Sequence, residues 1–202
     1  MYVLIACCIL SCASVAVSAS QSAKYYHWSN SSFSEKELKL DDSAPRFSDN
    51  FWLEPRQGQK NAWFTSQLGQ DEFILLLNSY KKDGYFVDLA ANDYSFLSNT
   101  AGIEKYYKWK GICIEPNFQY HENLLKHRKC TLVSNPVYSK NNHVVHFHLD
   151  DWASGIVGED MDNKKEEKLD LKLQTVTLQE ILDYLKAPKV IDYLSLDVEG
   201  GE

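Results

Sequence analysis

The stretch YFVDLAANDYSFLSNT, residues 85–100, decides the fold class of this chain. Residues 85–90 are mostly apolar, which predicts a short buried strand that includes Asp88 near its end. Small and polar residues follow, and from residue 98 to 108 the apolar residues recur at helical spacing. The stretch therefore predicts a strand, a ligand-sized loop and a helix in succession.

The same pattern of strand followed by helix repeats along the chain. Further strands are predicted at 111–115, 131–134 and 190–196, and further helices at 71–80, at 117–128 and from Thr177 to residue 186. Thr177 and Glu180 match a capping box at the start of the last helix. Residues 143–149 and 172–176 predict two strands that pair with each other. This order predicts βαβ units and an α/β fold with a doubly wound, mostly parallel sheet.

Carboxylates stand at the ends of three predicted parallel strands, at Asp88, Glu115 and Asp197. Open α/β sheets bind ligands outside the carboxyl ends of their strands, and an acid after the second strand suits two ribose hydroxyls. The loop after Asp88 contains no glycine before Gly102, which excludes the glycine-rich turn that a nicotinamide cofactor needs. S-adenosylmethionine fits better, because its ammonium and sulfonium groups are cationic and favour nearby acids.

Several motifs in register carry a family resemblance, namely YFVDLAAND, SNT, WKGICIEPN, VTLQEILD and IDYLSLDVEGGE. Together they resemble the FkbM-type family of S-adenosylmethionine-dependent methyltransferases, whose fold is Rossmann-like and of class I. The resemblance implies that Asp88, Ala90 and Asn92 form the cofactor loop and that Glu115 binds the ribose. It also implies that Asn135 contacts the adenine.

The resemblance further implies an enzyme that methylates a hydroxyl oxygen of a sugar, lipid or small metabolite, with Asp197 and Glu199 as catalytic residues. The alternative is a non-catalytic secreted or lumenal interaction domain of the same fold. The family pattern has glycine where this chain has Ala90 and Tyr94. Alanine is tolerable at position 90 if the backbone there has negative φ, and Tyr94 is expected to crowd the methionine end of the cofactor if the family's glycine uses positive φ.

The resemblance also implies a seven-stranded sheet in the order 3-2-1-4-5-7-6. The sequence ends after the fourth predicted strand, so a fold truncated at that point, and hence a fragment, is expected. Residues 63–202 are predicted to form the methyltransferase domain. Residues 20–62 are polar and lack a sustained period, which predicts a linker or a loosely packed arm.

The amino-terminal segment and the overall charge bear on location and partners. Residues 1–19 are uncharged and mostly apolar, which predicts a signal peptide and a secreted, ER or Golgi lumenal protein. The alternatives are an uncleaved membrane anchor and an organelle leader. Contact with a membrane is expected only if the segment is an uncleaved anchor. The net charge of −7 and the lack of a basic run argue against nucleic acid as a partner.

Cysteine, histidine and asparagine side chains offer further candidate sites. Outside the predicted signal peptide the cysteines are Cys113 and Cys130, for which two buried thiols are favoured over a single bridge. His143, His146 and His148 lack the acid or cysteine that would complete a metal site, so solvent-facing strand histidines and no metal are expected. The triplet Asn30-Ser31-Ser32 matches an N-glycosylation acceptor.

Overall fold

The structure is a computed structural model that describes residues 22–40, 64–150, 153–158 and 170–198. The predicted signal peptide, residues 41–63 and the candidate catalytic residue Glu199 lie outside these ranges. Within the described ranges, no helix combines the length and the apolar character needed to cross a membrane.

The described residues form nine β-strands and four α-helices. The strands are β1 (Ser22–Ser29), β2 (Ser32–Lys39), β3 (Tyr85–Leu89), β4 (Lys110–Ile114), β5 (Thr131–Val133), β6 (Val144–His148), β7 (Gly155–Ile156), β8 (Asp170–Gln174) and β9 (Tyr193–Leu196). The helices are α1 (Gln70–Leu77), α2 (Ala101–Tyr107), α3 (His121–His127) and α4 (Leu178–Tyr184). A 3₁₀ turn at Phe118–Tyr120 leads directly into α3.

The larger sheet has six described strands in the order β2-β1-β5-β4-β3-β9. Strands β5, β4, β3 and β9 pair in parallel, and they correspond to the third, second, first and fourth predicted strands. The expected order 3-2-1-4 is therefore observed for these strands. Parallel pairing brings their carboxyl ends to one side, where Asp88 stands in register with Cys113 and Ser195.

Apolar residues cover both faces of the larger sheet, which makes the fold a layered α/β arrangement. On β3, Phe86 belongs to the cluster that includes residues of α1, α2 and α3. Its neighbours Val87 and Leu89 belong to the opposite cluster, which includes Ile181 of α4. Because successive side chains of a strand point to opposite faces, this alternation explains why β3 is apolar almost throughout.

Residues 22–39 form a β-hairpin of the larger sheet, so the prediction of a linker or loose arm over residues 20–62 was wrong for this part. Strand β1 pairs antiparallel with β2 along its whole length and pairs in parallel with β5 through Tyr26 and Val133. Asn30 and Ser31 form the two-residue turn, and both have positive φ (51° and 63°), as type I′ hairpins require.

Aromatic packing holds the hairpin on the domain. Trp28 and Phe33 face each other across the two strands with ring centroids 4.9 Å apart, and both are buried. Phe33 also lies 4.6 Å from the ring of Tyr184 on α4. The other hairpin residues are mostly polar, so the strands depend on a few aromatic contacts with distant parts of the chain.

The smaller sheet has three described strands in the order β7-β6-β8. The predicted pairing of residues 143–149 with 172–176 is confirmed, because β6 and β8 run antiparallel from Val144 opposite Gln174 to His148 opposite Asp170. On β6, Val145 and Phe147 are buried, whereas His146 is exposed. His146 thus faces solvent, as predicted.

The start of α4 confirms half of the predicted capping box. The hydroxyl of Thr177 accepts a hydrogen bond from the backbone N–H of Glu180 (3.2 Å). The backbone N–H of Thr177 donates to Asn141 Oδ1 (2.6 Å), and not to Glu180 as the sequence predicts. The helix start is thereby tied to the turn that precedes β6.

Cys113 on β4 and Cys130 just before β5 form a disulfide, with Cα atoms 5.8 Å apart. The sequence preference for two free thiols was therefore wrong. Helix α3 runs between the two cysteines and returns the chain to the sheet, so residues 17 positions apart become neighbours. A sequence separation alone does not reveal that geometry.

Replacing Cys130 with serine is expected to lower the free energy of unfolding by roughly 3 kcal/mol, because the cross-link restricts the unfolded chain. Cys130 is only partly buried, so the serine adds no hydroxyl to the core. Urea unfolding with and without dithiothreitol measures the effect. Reductant should lower the stability of the wild type to that of Cys130→Ser and leave the variant unchanged; a wild type indifferent to reductant would contradict the bridge.

Candidate active site

A cavity of about 170 Å³ lies at the carboxyl ends of β3, β4 and β9. A single water needs only about 10–15 Å³ of such space, so the cavity has room for a small molecule. Its walls come from the strand ends, from the loop before α2 and from the smaller sheet. The lining residues are Gln67, Gln70, Asp88, Leu89, Ala90, Ala91, Asn92, Phe96, Leu97, Ser98, Asn99, Ile114, Glu115, Pro116, Pro136, Val137, Phe147, Ser154, Gly155, Ile156, Asp197 and Val198.

Glu115 lies at the end of β4 and ties two loops of the cavity together. Its Oε2 accepts the backbone N–H of Asn92 (2.7 Å), and its Oε1 accepts that of Asn117 (2.7 Å). Burial raises the pKa of Glu115 to about 7, although both N–H groups act in the opposite direction and favour the ionised form. Each carboxylate oxygen has a second lone pair, so Glu115 can also accept hydroxyl donors from a ligand.

Asn117 connects this strand end to the smaller sheet. Its fully buried amide Nδ2 donates to the hydroxyl of Ser154 (3.0 Å) and to the carbonyl of Asp150 (3.2 Å). Its Oδ1 accepts the backbone N–H of Gln119 (3.0 Å) and so caps the 3₁₀ turn. Asn117 therefore holds the segment around Ser154 against the cavity as one of its walls.

The loop after β3 uses left-handed backbone at two of the predicted cofactor residues. Ala90 has φ 59° and Asn92 has φ 51°, and both line the cavity. Asparagine adopts this conformation readily, whereas alanine does so at a cost of about 1–2 kcal/mol. Negative φ, the condition under which alanine is expected to be tolerable at this position, is therefore not met. Glycine, which the resemblance implies at this position, would adopt the same conformation without that cost.

Replacing Ala90 with glycine is expected to raise the free energy of unfolding by about 1 kcal/mol, because it relieves the left-handed strain and only part of the gain is lost to chain entropy. Ala91 provides a matched control, since it is buried in the core and is not among the described residues with positive φ. Ala91→Gly should lower stability by about 1–2 kcal/mol. Urea unfolding measures both variants. Equal losses in the free energy of unfolding would show that Ala90 is not strained.

Tyr94 does not crowd the cavity, because the positive φ on which the expected clash depends is absent at this residue. The residue is not among the described residues with positive φ, and it does not line the cavity. Its ring is buried in the core cluster that includes α2 and α3, where it lies 4.4 Å from the ring of His127. A tyrosine at this position therefore contributes to packing and leaves the ligand space open.

Asp88 lies at the cavity floor within a buried network of polar side chains. Its Oδ2 accepts the hydroxyl of Thr100 (2.6 Å), and Thr100 Oγ1 in turn accepts from Arg128 Nη2 (2.7 Å). Burial raises the pKa of Asp88, while the Thr100 hydrogen bond, the Arg128 charge and a Ser195 hydrogen bond lower it in part. Arg128 also pairs with Glu104 (2.9 Å), which anchors the network.

Asp197 and Asn99 form the side of the cavity next to β9. Asp197 is exposed and follows the strand directly, so its carboxylate is accessible from solvent. Asn99 Nδ2 donates to the hydroxyl of Ser195 (3.1 Å). Asn99 Oδ1 is buried and has no hydrogen-bond partner in the described part of the chain, which leaves an acceptor in the cavity wall.

The structure does not bring Asn135 to the cavity. Its buried Oδ1 accepts the backbone N–H of Trp28 (2.6 Å), and its Nδ2 donates to the carbonyls of Trp28 (3.0 Å) and Gln174 (2.9 Å). The amide thus fastens the hairpin to both sheets. The next residues, Pro136 and Val137, line the cavity in its place.

The charges of the cavity set its chemistry. Asp88, Glu115 and Asp197 all contribute to its lining, whereas the described lining contains no lysine, arginine or histidine. Buried carboxylates raise one another's pKa, as Asp88 does for Glu115. A ligand with positive charge and hydroxyl donors relieves this repulsion, and an anionic diphosphate adds to it.

Comparison with known proteins decides the family. The profile described as "Methyltransferase FkbM domain" matches residues 88–202, which is more than half of the chain. The chain belongs to the FkbM methyltransferase family. No curated protein and no solved structure gave a match. Membership of the FkbM family supports a methyltransferase function in general, and the match begins at the acid on the cavity floor.

Several residues of this FkbM site carry no clear signal in the sequence. Arg128 stands among basic residues at the end of α3, where solvent exposure is the ordinary expectation, yet it is buried. Asn117 follows Pro116 in the quoted motif WKGICIEPN, and Thr100 closes the motif SNT. Both motifs point to the right places, but only the fold shows which partner each side chain contacts.

Proposed function

We propose that this protein is an S-adenosylmethionine-dependent methyltransferase with a Rossmann-like, class I fold. Its acceptor is a hydroxyl oxygen of a sugar, a lipid or a small metabolite. The observation that carries the proposal is a cavity at the carboxyl ends of parallel strands that is lined by Asp88, Glu115 and Asp197 and by no described basic residue. This charge pattern favours a cationic nucleoside over a dinucleotide.

The described residues fit such a cofactor. Glu115 would accept the two ribose hydroxyls, because its carboxylate is held in place by two backbone N–H groups and keeps free lone pairs. The apolar residues Ile114, Pro116 and Val137 would face the adenine. Asp88 would attract the cationic end, and the loop containing Ala90 and Asn92 would allow close approach to the backbone.

The acceptor would enter beside Asp197, the exposed acid of the cavity. When bound, the cofactor would supply a methyl group that is already activated by the positive sulfur. The protein's contribution is then to hold the acceptor oxygen in line with that methyl group. Asp197 would orient the acceptor hydroxyl by accepting its hydrogen bond, and we propose the same for Glu199, which follows two residues later.

We also propose that the protein acts in the secretory pathway, on a small-molecule or glycan acceptor. The predicted signal peptide motivates this location, and the Cys113–Cys130 disulfide favours an oxidising compartment. Membrane attachment applies only if the amino-terminal segment stays uncleaved.

Isothermal titration of the full chain tests the cofactor. S-adenosylhomocysteine, the demethylated product, should bind, whereas NADH should not, because its diphosphate would meet three carboxylates and no described cation. Incubation with a radiolabelled methyl donor and a panel of hydroxyl compounds then identifies the acceptor. Binding of NADH, or a failure of S-adenosylhomocysteine to bind, would contradict the proposal.

The pKa of Glu115 predicts how binding depends on pH. Since that pKa is about 7, the ionised fraction rises from about one tenth near pH 6 to about nine tenths near pH 8. Binding of S-adenosylhomocysteine should tighten up to roughly ninefold over this interval. In Glu115→Gln the same titration should be flat, and a wild-type curve that is equally flat would contradict the role of Glu115.

As the pH rises from 6 to 8, the free energy of unfolding of the unliganded protein should fall, whereas ligand binding tightens. The folded state holds the Glu115 proton more tightly than the unfolded state, because burial raises the pKa above its ordinary value of 4.5. The stability that Glu115 contributes is therefore fully present below pH 4.5, the ordinary pKa of the group. It is lost as the pH rises through its folded-state pKa of about 7. Urea unfolding at the same pH values provides this internal check.

A further inference from the structure

The turn between β1 and β2 presents an asparagine in an acceptor sequence for glycans. Asn30, Ser31 and Ser32 form the one triplet of this type in the chain, with serine two residues after asparagine and no proline between them. All three residues are exposed. A triplet of this kind is common by chance, so its position in the fold decides whether it can act as a glycan acceptor.

The Asn30 side chain makes no hydrogen bond or ion pair within the part of the chain that the structure describes. The contacts described for the turn run through its neighbours: Ser31 Oγ accepts from Asn142 Nδ2 (2.9 Å), and Ser32 Oγ makes a long bond to the carbonyl of Ser29 (3.4 Å). Trp28 and Phe33 pack just below the turn. The backbone needs positive φ at Asn30, which asparagine tolerates and which a modified asparagine retains.

A second observation points to the compartment in which glycans are added. The Cys113–Cys130 disulfide lies elsewhere in the fold, and disulfides persist in secretory lumens and are rare in the cytosol. Among the described strands, β2 also lies at one edge of the larger sheet, and exposed edges require protection from pairing with other chains. A bulky polar group at the start of β2 would provide such protection.

We propose that Asn30 carries an N-linked glycan. In the transfer, the bond between C1 of the first sugar and the diphosphate oxygen of a lipid-linked oligosaccharide breaks. A bond forms between that C1 and Asn30 Nδ2, which loses one proton, and the lipid diphosphate leaves. The modification is independent of the methyltransferase reaction, and it rests on passage of the chain through the secretory pathway.

The test uses the full chain, with its own amino-terminal segment, expressed in a eukaryotic secretory cell line. Peptide N-glycosidase F should produce one discrete increase in gel mobility for the wild type and for Ser32→Thr, and none for Ser32→Ala. These variants differ at an exposed side chain with one weak contact, and denaturing gels read the shift whether or not a variant folds. Mass spectrometry after release in heavy-oxygen water should place the label at position 30.

Each other outcome overturns the proposal. A wild-type chain that is oxidised, as shown by resistance of Cys113 and Cys130 to maleimide, but unchanged by the glycosidase would show that Asn30 is not an acceptor. A chain that is reduced and unchanged would show that it does not enter the lumen. A shift that persists in Ser32→Ala, or a label at another residue, would assign the glycan elsewhere.

Discussion

Replacing Arg128 with methionine is expected to lower the free energy of unfolding by about 3–5 kcal/mol, because it removes one partner of a buried ion pair. The side chain of Arg128 is only 1% exposed and that of Glu104 is 6% exposed, so water cannot replace the lost contact. The guanidinium also donates to Thr100 and to Ser98, and these bonds disappear with it. Urea unfolding measures the loss.

Two further variants separate the buried charge from a general effect of the substitution. The double variant Arg128→Met with Glu104→Gln should recover a substantial part of the loss, because no uncompensated carboxylate remains buried. Lys126→Met removes the cation of a more exposed pair with Glu122 on the same helix, and should cost only about 0.3–0.5 kcal/mol. Equal losses for Arg128→Met and Lys126→Met would show that burial of the pair does not matter.

Replacing Glu115 with glutamine is expected to weaken S-adenosylhomocysteine binding by roughly 10- to 150-fold. This corresponds to the loss of about 1.5–3 kcal/mol for hydrogen bonds to a charged acceptor. Glutamine has the same shape, but its NH₂ group would face the backbone N–H of Asn92 or of Asn117. Isothermal titration at a pH above 7 measures the effect, since Glu115 is mostly ionised there in the wild type.

Glu122→Gln is the matched control, because Glu122 is an acid outside the cavity lining. The affinity of Glu122→Gln for S-adenosylhomocysteine should stay within about twofold of that of the wild type. Thermal unfolding of both variants separates ligand contact from loss of the loop structure. If Glu115→Gln bound the nucleoside as tightly as the wild type, the ribose role of Glu115 would have to be abandoned.

The parallel part of the sheet was predictable, because its strands are short and mostly apolar and because β3 and β4 are each followed by a helix. Strands of this type are buried on both faces, so their sequences carry a strong signal, as in Phe86 and Val87. The hairpin of residues 22–39 was not predictable in the same way. Its burial is concentrated in Trp28 and Phe33, and the contacts that fix it come from residues such as Asn135, more than a hundred positions later.

The candidate site likewise contains residues that the sequence identifies and residues that only the fold reveals. Asp88, Glu115 and Asp197 were identifiable because strand ends gather at one side of a parallel sheet. Asn135 also follows such a strand, yet its amide is engaged by the hairpin, a feature that the sequence did not indicate. The backbone conformation at Ala90 was equally hidden, because alanine ordinarily indicates negative φ.

The attachment of the hairpin to β5 has a practical implication for recombinant work. A version trimmed to begin at residue 63, where the sequence suggests the domain starts, would lack β1 and β2. Such a protein would present the lateral backbone groups of β5 and the uncovered ring of Tyr184 to solvent. Unpaired strands of this kind recruit other chains, so poor solubility of the trimmed version would reflect a missing structural piece rather than an unstable enzyme.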